Sequence, residues 1–281
     1  MRKESQSSRQ LDALIQSMEQ GHGLDVSAYE RSFLRQTMDR RRADAGGMNV
    51  EAYREWLAGN RAEAEAFCRY LRVGYSAFFR DPLTFALLEQ QVIPTLIAEK
   101  EETDGSELRV WSAGCAAGQE AWSMAILLDA LCGAGEAALA YRIFATDVSE
   151  PDLTHAREGI YTAAAAGNIR LKHLQTCFSS QGDTYAIVPR LKARVVFSIY
   201  DLLDEQTVSP AESLYGDFDL ILCCNLLFYY RPEIRQRILD KVCSALTPGG
   251  YFVTGETERG IVSEHQGLGA LNSPTAVFKK R

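Results

Sequence analysis

From residue 108 onward, short apolar runs rich in Val, Ile, Phe and Tyr alternate with helical patterns, and no comparable run precedes them. The runs are LRVWSA (108–113), YRIFATD (141–147), ARVVFSIYD (193–201), FDLILCCN (218–225) and GGYFVTGE (249–256). Helical stretches at 119–132, 151–158 and 232–246 fall between them. Strands that alternate with helices pair in parallel, and a parallel sheet must be covered on both faces. An α/β, doubly wound sheet is therefore expected over 108–281, with TAVFKK near the end adding an edge strand. The stretch CFSSQGDTYAIVPRLKARVVF (177–197) breaks the rhythm and reads as a small antiparallel β-subdomain, about 177–195.

The preceding chain is of another kind. Residues 5–20, 27–44, 49–57 and 61–72 carry helical periodicity, interrupted by Gly-His-Gly at 21–23 and Gly-Gly at 46–47. A helical domain over 1–73 is expected, followed by a connector and helix over 74–107. The net charge of −7 argues against general nucleic-acid binding, yet residues 1–80 carry 13 Lys/Arg against 11 Asp/Glu. The rest is clearly acidic, so the two parts are expected to meet different partners. No apolar run reaches the roughly 18–20 residues of a membrane span, and the polar N-terminus lacks the apolar centre of a secretory signal. Seven cysteines at 68, 115, 132, 177, 223, 224 and 243 form no Cys-x-x-Cys pair. They read as free thiols of a reducing cytoplasm, with no metal.

The segment VWSAGCAAGQEAWS (110–123) runs a strand into a glycine turn and a helix. Ligands of open α/β sheets bind at the carboxyl ends of the strands, close to such turns. A dinucleotide site favours Gly-x-Gly-x-x-Gly with a pyrophosphate at the helix N-terminus. Here the turn is Gly-Cys-Ala-Ala-Gly-Gln-Glu. A carboxylate at Glu120 repels a pyrophosphate and suits the cationic amino group of S-adenosylmethionine. The other reading of Glu120 is a first-turn acid favoured by the helix dipole. Asp147, closing the second strand, is placed to accept both ribose hydroxyls, although nicotinamide enzymes use the same device. It is equally a start signal for the following helix, together with Ser149 and Pro151.

The segments RVWSAGCAAGQEAWSMAILL, FATDVS, FDLILCCNLLFYYRPEIRQRIL and LTPGGYFVTGETE, in this order, resemble the CheR family of chemotaxis-receptor glutamate methyltransferases. VGYSAFFRDPLTF resembles the family's Asn-x-Thr-x-Phe-Phe-Arg-Asp segment, and GLDVSAYERSFLRQTMDRRR its basic helical domain. The resemblance runs from about residue 20 to 281. It implies a class I, Rossmann-like methyltransferase sheet that binds S-adenosylmethionine and releases S-adenosylhomocysteine. It also implies methyl-ester formation on receptor glutamates, with the 74–107 stretch covering the cofactor. Carried over position by position, the implied cofactor residues are Gly74, Ser76, Arg80, Ala113, Gly114, Glu120, Asp147, Asp201, Leu202, Asn225 and Leu226. Arg80 and Tyr229 are the implied catalytic residues. The chain departs from the family at Gly74 (family Asn), Asp201 (family Asn) and Cys224 (family Arg), and the late His-Ser-Glu falls on Gly255-Glu256-Thr257. A second reading keeps the fold but makes the chain a cofactor-binding regulatory or scaffold protein with weak or no turnover.

Residues 31–42 hold five arginines against one Asp. At 100° per residue Arg31, Arg35 and Arg42 share one helix face. That basic ridge is either a solvated face or, as the resemblance implies, a dock for the acidic cytoplasmic domain of a methyl-accepting receptor. Some family members capture a C-terminal receptor pentapeptide with a longer glycine-containing loop in the small β-subdomain. Here the loop is short, and Pro189 is expected to remove a donor from the edge strand. A monomer that does not use the tether is expected.

Overall fold

Leu11, Leu14 and Met18 recur at intervals of three and four, as do Ala64, Phe67 and Leu71, and each set lines one face of a helix. The computed structural model describes residues 2–102, 107–133, 139–213, 216–271 and 275–281, and it divides into two units. The first comprises Met1–Val73 and Phe228–Arg235, the second Gly74–Leu227 and Gln236–Arg281. The first unit is built from α1 (Arg2–His22), α2 (Arg31–Asp44), α3 (Val50–Gly59) and α4 (Arg61–Leu71). Their apolar faces meet in one core with Leu34, Met38, Tyr53 and Leu57. Asn49 and Asn60 cap α3 and α4, each amide oxygen accepting from a backbone N–H three residues on. One carboxylate lies inside: Glu63 accepts from Arg41 Nε at 2.8 Å and from the Tyr53 hydroxyl at 2.7 Å.

Helix α2 begins at Arg31, not at 27 as the periodicity suggests. Tyr29 forms an antiparallel bridge with Tyr230, and the Glu30 N–H donates to Tyr229 O at 2.7 Å. The backbone there is committed to a distant segment, which no local pattern reveals. For the same reason Phe228–Arg235, assigned from sequence to the 108–281 stretch, groups with the helices.

The second unit opens with α5 (Pro82–Leu87), a π turn (Leu88–Val92) and α6 (Ile93–Glu102), where the sequence suggested one regular helix. Pro94 has no N–H to give the carbonyl one turn back, and the wider turn ahead of it absorbs that gap. Strands β1 (Glu107–Ala113), β2 (Ala140–Asp147), β3 (Ile160–Thr162), β4 (Phe178–Gln181) and β5 (Thr184–Ile187) follow. They are interleaved with α7 (Gln119–Leu131), α8 (Glu150–Glu158) and α9 (Leu171–Cys177). The chain continues through α10 (Pro189–Lys192), β6 (Val195–Ile199), β7 (Phe218–Cys223), α11 (Pro232–Ala245) and β8 (Leu246–Thr254), then α12 (Arg259–Ser263), β9 (Leu268–Ala270) and β10 (Val277–Lys280).

Among the described residues the large sheet has the order β6-β2-β1-β7-β8-β10-β9. The first five strands are parallel, and β10 runs antiparallel to both β8 and β9. Strand order reverses between β1 and β7, so the switch point lies at their carboxyl ends. The terminal strand β10 is interior rather than an edge; the edge is β9, whose Leu-Gly-Ala carries no strand signal. The small sheet, β3-β5-β4, recruits β3 from before residue 177. Pro189 opens α10 and lies on no strand, so it does not blunt the edge as expected.

Gly118 starts α7 at φ +89, and a Cβ there would fall 2.7 Å from Ala156 Cβ. Replacing Gly118 by Ala combines left-handed strain with overpacking, each on the order of 1–3 kcal/mol. Urea denaturation of Gly118→Ala should show a loss of about 2–4 kcal/mol; an unchanged midpoint would show that the turn relaxes freely.

Candidate cofactor site at the strand ends

The register brings the carboxyl ends of the central strands level: Ala113 pairs with Thr146, Asp147 with Ile199, and Cys223 with Thr254. At the end of β1 the chain turns through Gly114 (φ +78) and Ala116 (φ +46). The N–H groups of Gly114 and Cys115 donate to Thr146 O at 2.8 and 2.9 Å. The Ala116 N–H donates to Asp147 Oδ2 at 2.9 Å, and the Ser149 N–H to Asp147 Oδ1 at 2.9 Å. Asp147 therefore ties the β1 turn to the end of β2. Burial raises its pKa against the pull of these donors, and Asp152 adds repulsion. A side chain at Gly114 would press on Leu226, 3.4 Å from the position of a Cβ.

Glu120 lies in the first turn of α7, partly buried, and accepts from Ser112 Oγ at 2.7 Å. The Cys224 thiol, itself held protonated by burial, donates to Val253 O at 3.8 Å and gives the Glu120 carboxylate only a weak further pull. Burial pushes the Glu120 carboxyl up, and its charged neighbours Asp81 and Glu258 push the same way. Next to it, the buried Gln119 Oε1 has no hydrogen-bond partner among the described residues.

At the end of β7, Asn225 adopts φ +59. Its N–H donates to Glu258 Oε2 at 2.6 Å, and the same oxygen accepts from Thr254 Oγ1 at 2.9 Å and Gly255 N–H at 3.1 Å. Glu258 is fully buried. The Asn225 amide lies against Gly255, where a Cβ would come 2.5 Å from Nδ2, and its buried Oδ1 has no partner among the described residues. Two orphaned amide oxygens and a partly buried acid facing other acids fit a ligand carrying N–H donors and positive charge.

The other expected residues fall as follows. Ala113 is buried at the end of β1; Leu202 is buried, and Asp201 is exposed beyond β6, its Oδ1 accepting from Leu203 N–H. Gly74 is exposed, and a Cβ there would lie 3.1 Å from Asp152 Oδ2, so a carboxylate borders the space the family gives to Asn. Ser76 is half-buried, and Arg80 is exposed with its guanidinium 5.2 Å over the Tyr75 ring. The segment is anchored by Phe78, packed edge-on against Tyr161 and Phe178, and by Phe79 N–H donating to Ser123 Oγ. Tyr229 belongs to the helical unit, where it packs on Phe33 at 4.6 Å between ring centroids. On the arginine ridge Arg31 binds Asp12 and Ser8, Arg42 binds Asp39 and Met48 O, and Arg35 is exposed. Sequence reading missed Ser112, Asp152 and Glu258. The buried acid is one residue past the Gly255-Glu256-Thr257 match, and a sequence of two glutamates in three positions does not say which turns inward.

A doubly wound sheet with these turns and acids at its switch point defines a class I S-adenosylmethionine-binding methyltransferase fold. Residues 75–276 match the family described as CheR methyltransferase, SAM binding domain, and the chain belongs to that family. It is 35% identical over 185 residues to chemotaxis protein methyltransferase 1 of Pseudomonas aeruginosa, covering 64% of each chain. It is 32% identical over 209 residues to the chemotaxis protein methyltransferase of Listeria innocua, covering 74% of each. An uncharacterized 104.1 kDa protein of Rhodobacter capsulatus is 33% identical over 231 residues, which cover 82% of this chain and 23% of that protein. The chain thus spans less than two thirds of two of these three relatives. Among the described residues no helix is long and apolar enough to cross a membrane.

A ligand cation lowers the raised pKa of Glu120, so binding should release protons and weaken as pH falls through the raised carboxyl range. Calorimetry of S-adenosylhomocysteine in buffers of differing ionisation enthalpy should show that release; uptake or no exchange would place the cation elsewhere. Removing Asp147 (Asp147→Ala) should cost about 1.5–3 kcal/mol of binding, the value of a charged hydrogen bond.

Proposed function

We propose that this chain transfers the methyl group of S-adenosylmethionine to glutamate side chains on the cytoplasmic domain of a methyl-accepting chemotaxis receptor. The products are a glutamate methyl ester and S-adenosylhomocysteine, and the reaction takes place in the cytoplasm. The observation that carries the reading is Glu120, a partly buried acid whose donors are neutral and whose charged neighbours are acids, in a chain of this family. Bound there, the cofactor supplies an electrophilic methyl on a sulfonium. Glu120 holds the amino group, Asp147 the ribose hydroxyls, and Asp201 and Leu202 the adenine side, while Asn225 and Leu226 after β7 complete the cofactor set.

The acceptor carboxylate is already anionic at neutral pH, so the chain needs no strong general base. Arg80 orients that carboxylate, and Tyr229 matches the tyrosine that the family keeps near the transferred methyl. Methyl transfer cancels a positive against a negative charge, so exclusion of water by the covering 74–82 segment favours the reaction. Arg35, with Arg31 and Arg42 on the same face of α2, brings in the acidic receptor helices, chiefly by speeding encounter. The two-residue turn between β4 and β5, Gly182-Asp183, supports direct recognition by a monomer without the pentapeptide tether.

The alternative of a binder without turnover is favoured by Cys224, which leaves a thiol on Glu120 where the family carries an arginine. Transfer of tritium from labelled S-adenosylmethionine to a receptor cytoplasmic fragment, released by mild base as methanol, separates the two. Tight binding of S-adenosylhomocysteine with no base-labile label would leave only the binder. Reversing Arg35 and Arg42 together to Glu should slow labelling by roughly tenfold at low salt and by less as salt rises. Equal rates at every ionic strength would remove α2 as the dock.

A further inference from the structure

Away from the strand ends, the second unit holds a cavity of about 200 Å³ behind the covering segment. Its walls are the rings of Phe79 and Phe85, with Leu127 of α7 beneath and the paired Glu89 and Arg170 at the rim. An apolar cavity of about 150 Å³ is enough to take benzene, so this one admits one or two fused rings. Three features single it out. Phe79 is held at φ +49, a conformation costly for a bulky residue. Glu89 lies on the π turn Leu88–Val92, a distortion frequent at functional sites. His173 is only 6% exposed, lines the cavity and stacks on Phe79 at 6.3 Å between ring centroids.

The imidazole borders the open cavity, so an occupant with a complementary group can hydrogen-bond there in place of solvent. Burial keeps the ring neutral, leaving one nitrogen as an acceptor. The remaining polar edge also offers acceptors: Asn168 gives one Nδ2 N–H to Phe78 O at 3.3 Å and keeps its carbonyl oxygen. Glu89 offers carboxylate oxygen, with its charge balanced by Arg170 at 2.8 Å. No net charge is left for an ionic ligand.

We propose that this cavity is a binding site for a planar, uncharged aromatic molecule of one or two rings that carries a single N–H or O–H donor, stacked between Phe79 and the apolar wall with its donor on His173. The site is separate from the cofactor residues, and the proposal does not depend on methyl transfer. Because Phe79 adjoins Arg80, an occupant also braces the segment that carries Arg80.

Indole serves as the probe. It is titrated into the full chain by saturation-transfer NMR in the presence of excess S-adenosylhomocysteine, so that the strand-end site does not compete. Saturable binding is expected, tighter for indole than for 1-methylindole, which has no donor. Ala86→Phe fills the cavity and should weaken indole by about tenfold or more. His173→Leu keeps the shape and should erase the preference for indole over 1-methylindole. A melting curve for each variant shows that it is folded. Absence of saturation, or indole binding that is the same in a folded Ala86→Phe protein, overturns the proposal. So does a preference for indole that survives His173→Leu. If S-adenosylhomocysteine itself fails to bind, the cofactor assignment falls, while the two variants still decide the cavity.

Discussion

Backbone N–H groups at the carboxyl ends of the strands need acceptors, and two acids supply them. Glu258 gathers donors from Thr254, Gly255 and Asn225 on a single oxygen, joining the ends of β7 and β8. Asp147 does the same for β1 and β2 through Ala116 and Ser149. Buried or half-buried carboxylates are expensive to keep charged, and hydrogen bonds from backbone amides to the anion offset that expense. The left-handed conformations at Ala116 and Asn225 persist because these acceptors over-determine them. Without the two acids, the positions proposed to meet the cofactor would lose their fixed geometry.

The same arrangement separates anchoring acids from available ones. Asp147 and Glu258 are tied by backbone donors, whereas Glu120 leans on a hydroxyl and a thiol and faces other acids. Ser112 and Cys224 are weak donors next to a cation. A ligand bearing positive charge therefore gains most at Glu120, and the anchors hold the floor of the site while that happens.

Much of the sheet was legible because the apolar runs of β1, β2, β7 and β8 are buried on both faces, which leaves continuous rather than alternating hydrophobicity. The turn at Gly114 and the acids Glu120 and Asp147 were legible for a related reason: glycine and carboxylate are rare in such runs unless geometry or charge demands them. What escaped was non-local. The early start expected for α2 ignored the bridge of Tyr29 to Tyr230. The interior place of β10 depends on β9, three residues without a strand signature. Glu258 and Asp152 are acids among acids, and only packing selects them. Angular spacing alone did not show that Arg31 and Arg42 of the arginine ridge pair with Asp12 and Asp39.

The helical unit is assembled from two stretches of chain that are far apart in the order of synthesis. Its helices leave the ribosome first, yet Tyr29, Glu30 and Phe33 find their partners only when Phe228–Arg235 has been made. Until then an aromatic patch at the start of α2 stays uncovered while the sheet that must deliver its complement is still growing. Contacts of such long sequence separation form late and slowly, since loop closure precedes any gain from them. The helical unit is thus finished only after most of the sheet exists. A nascent or truncated chain ending within the sheet would present α2 without the Tyr230 segment that bridges to its entrance.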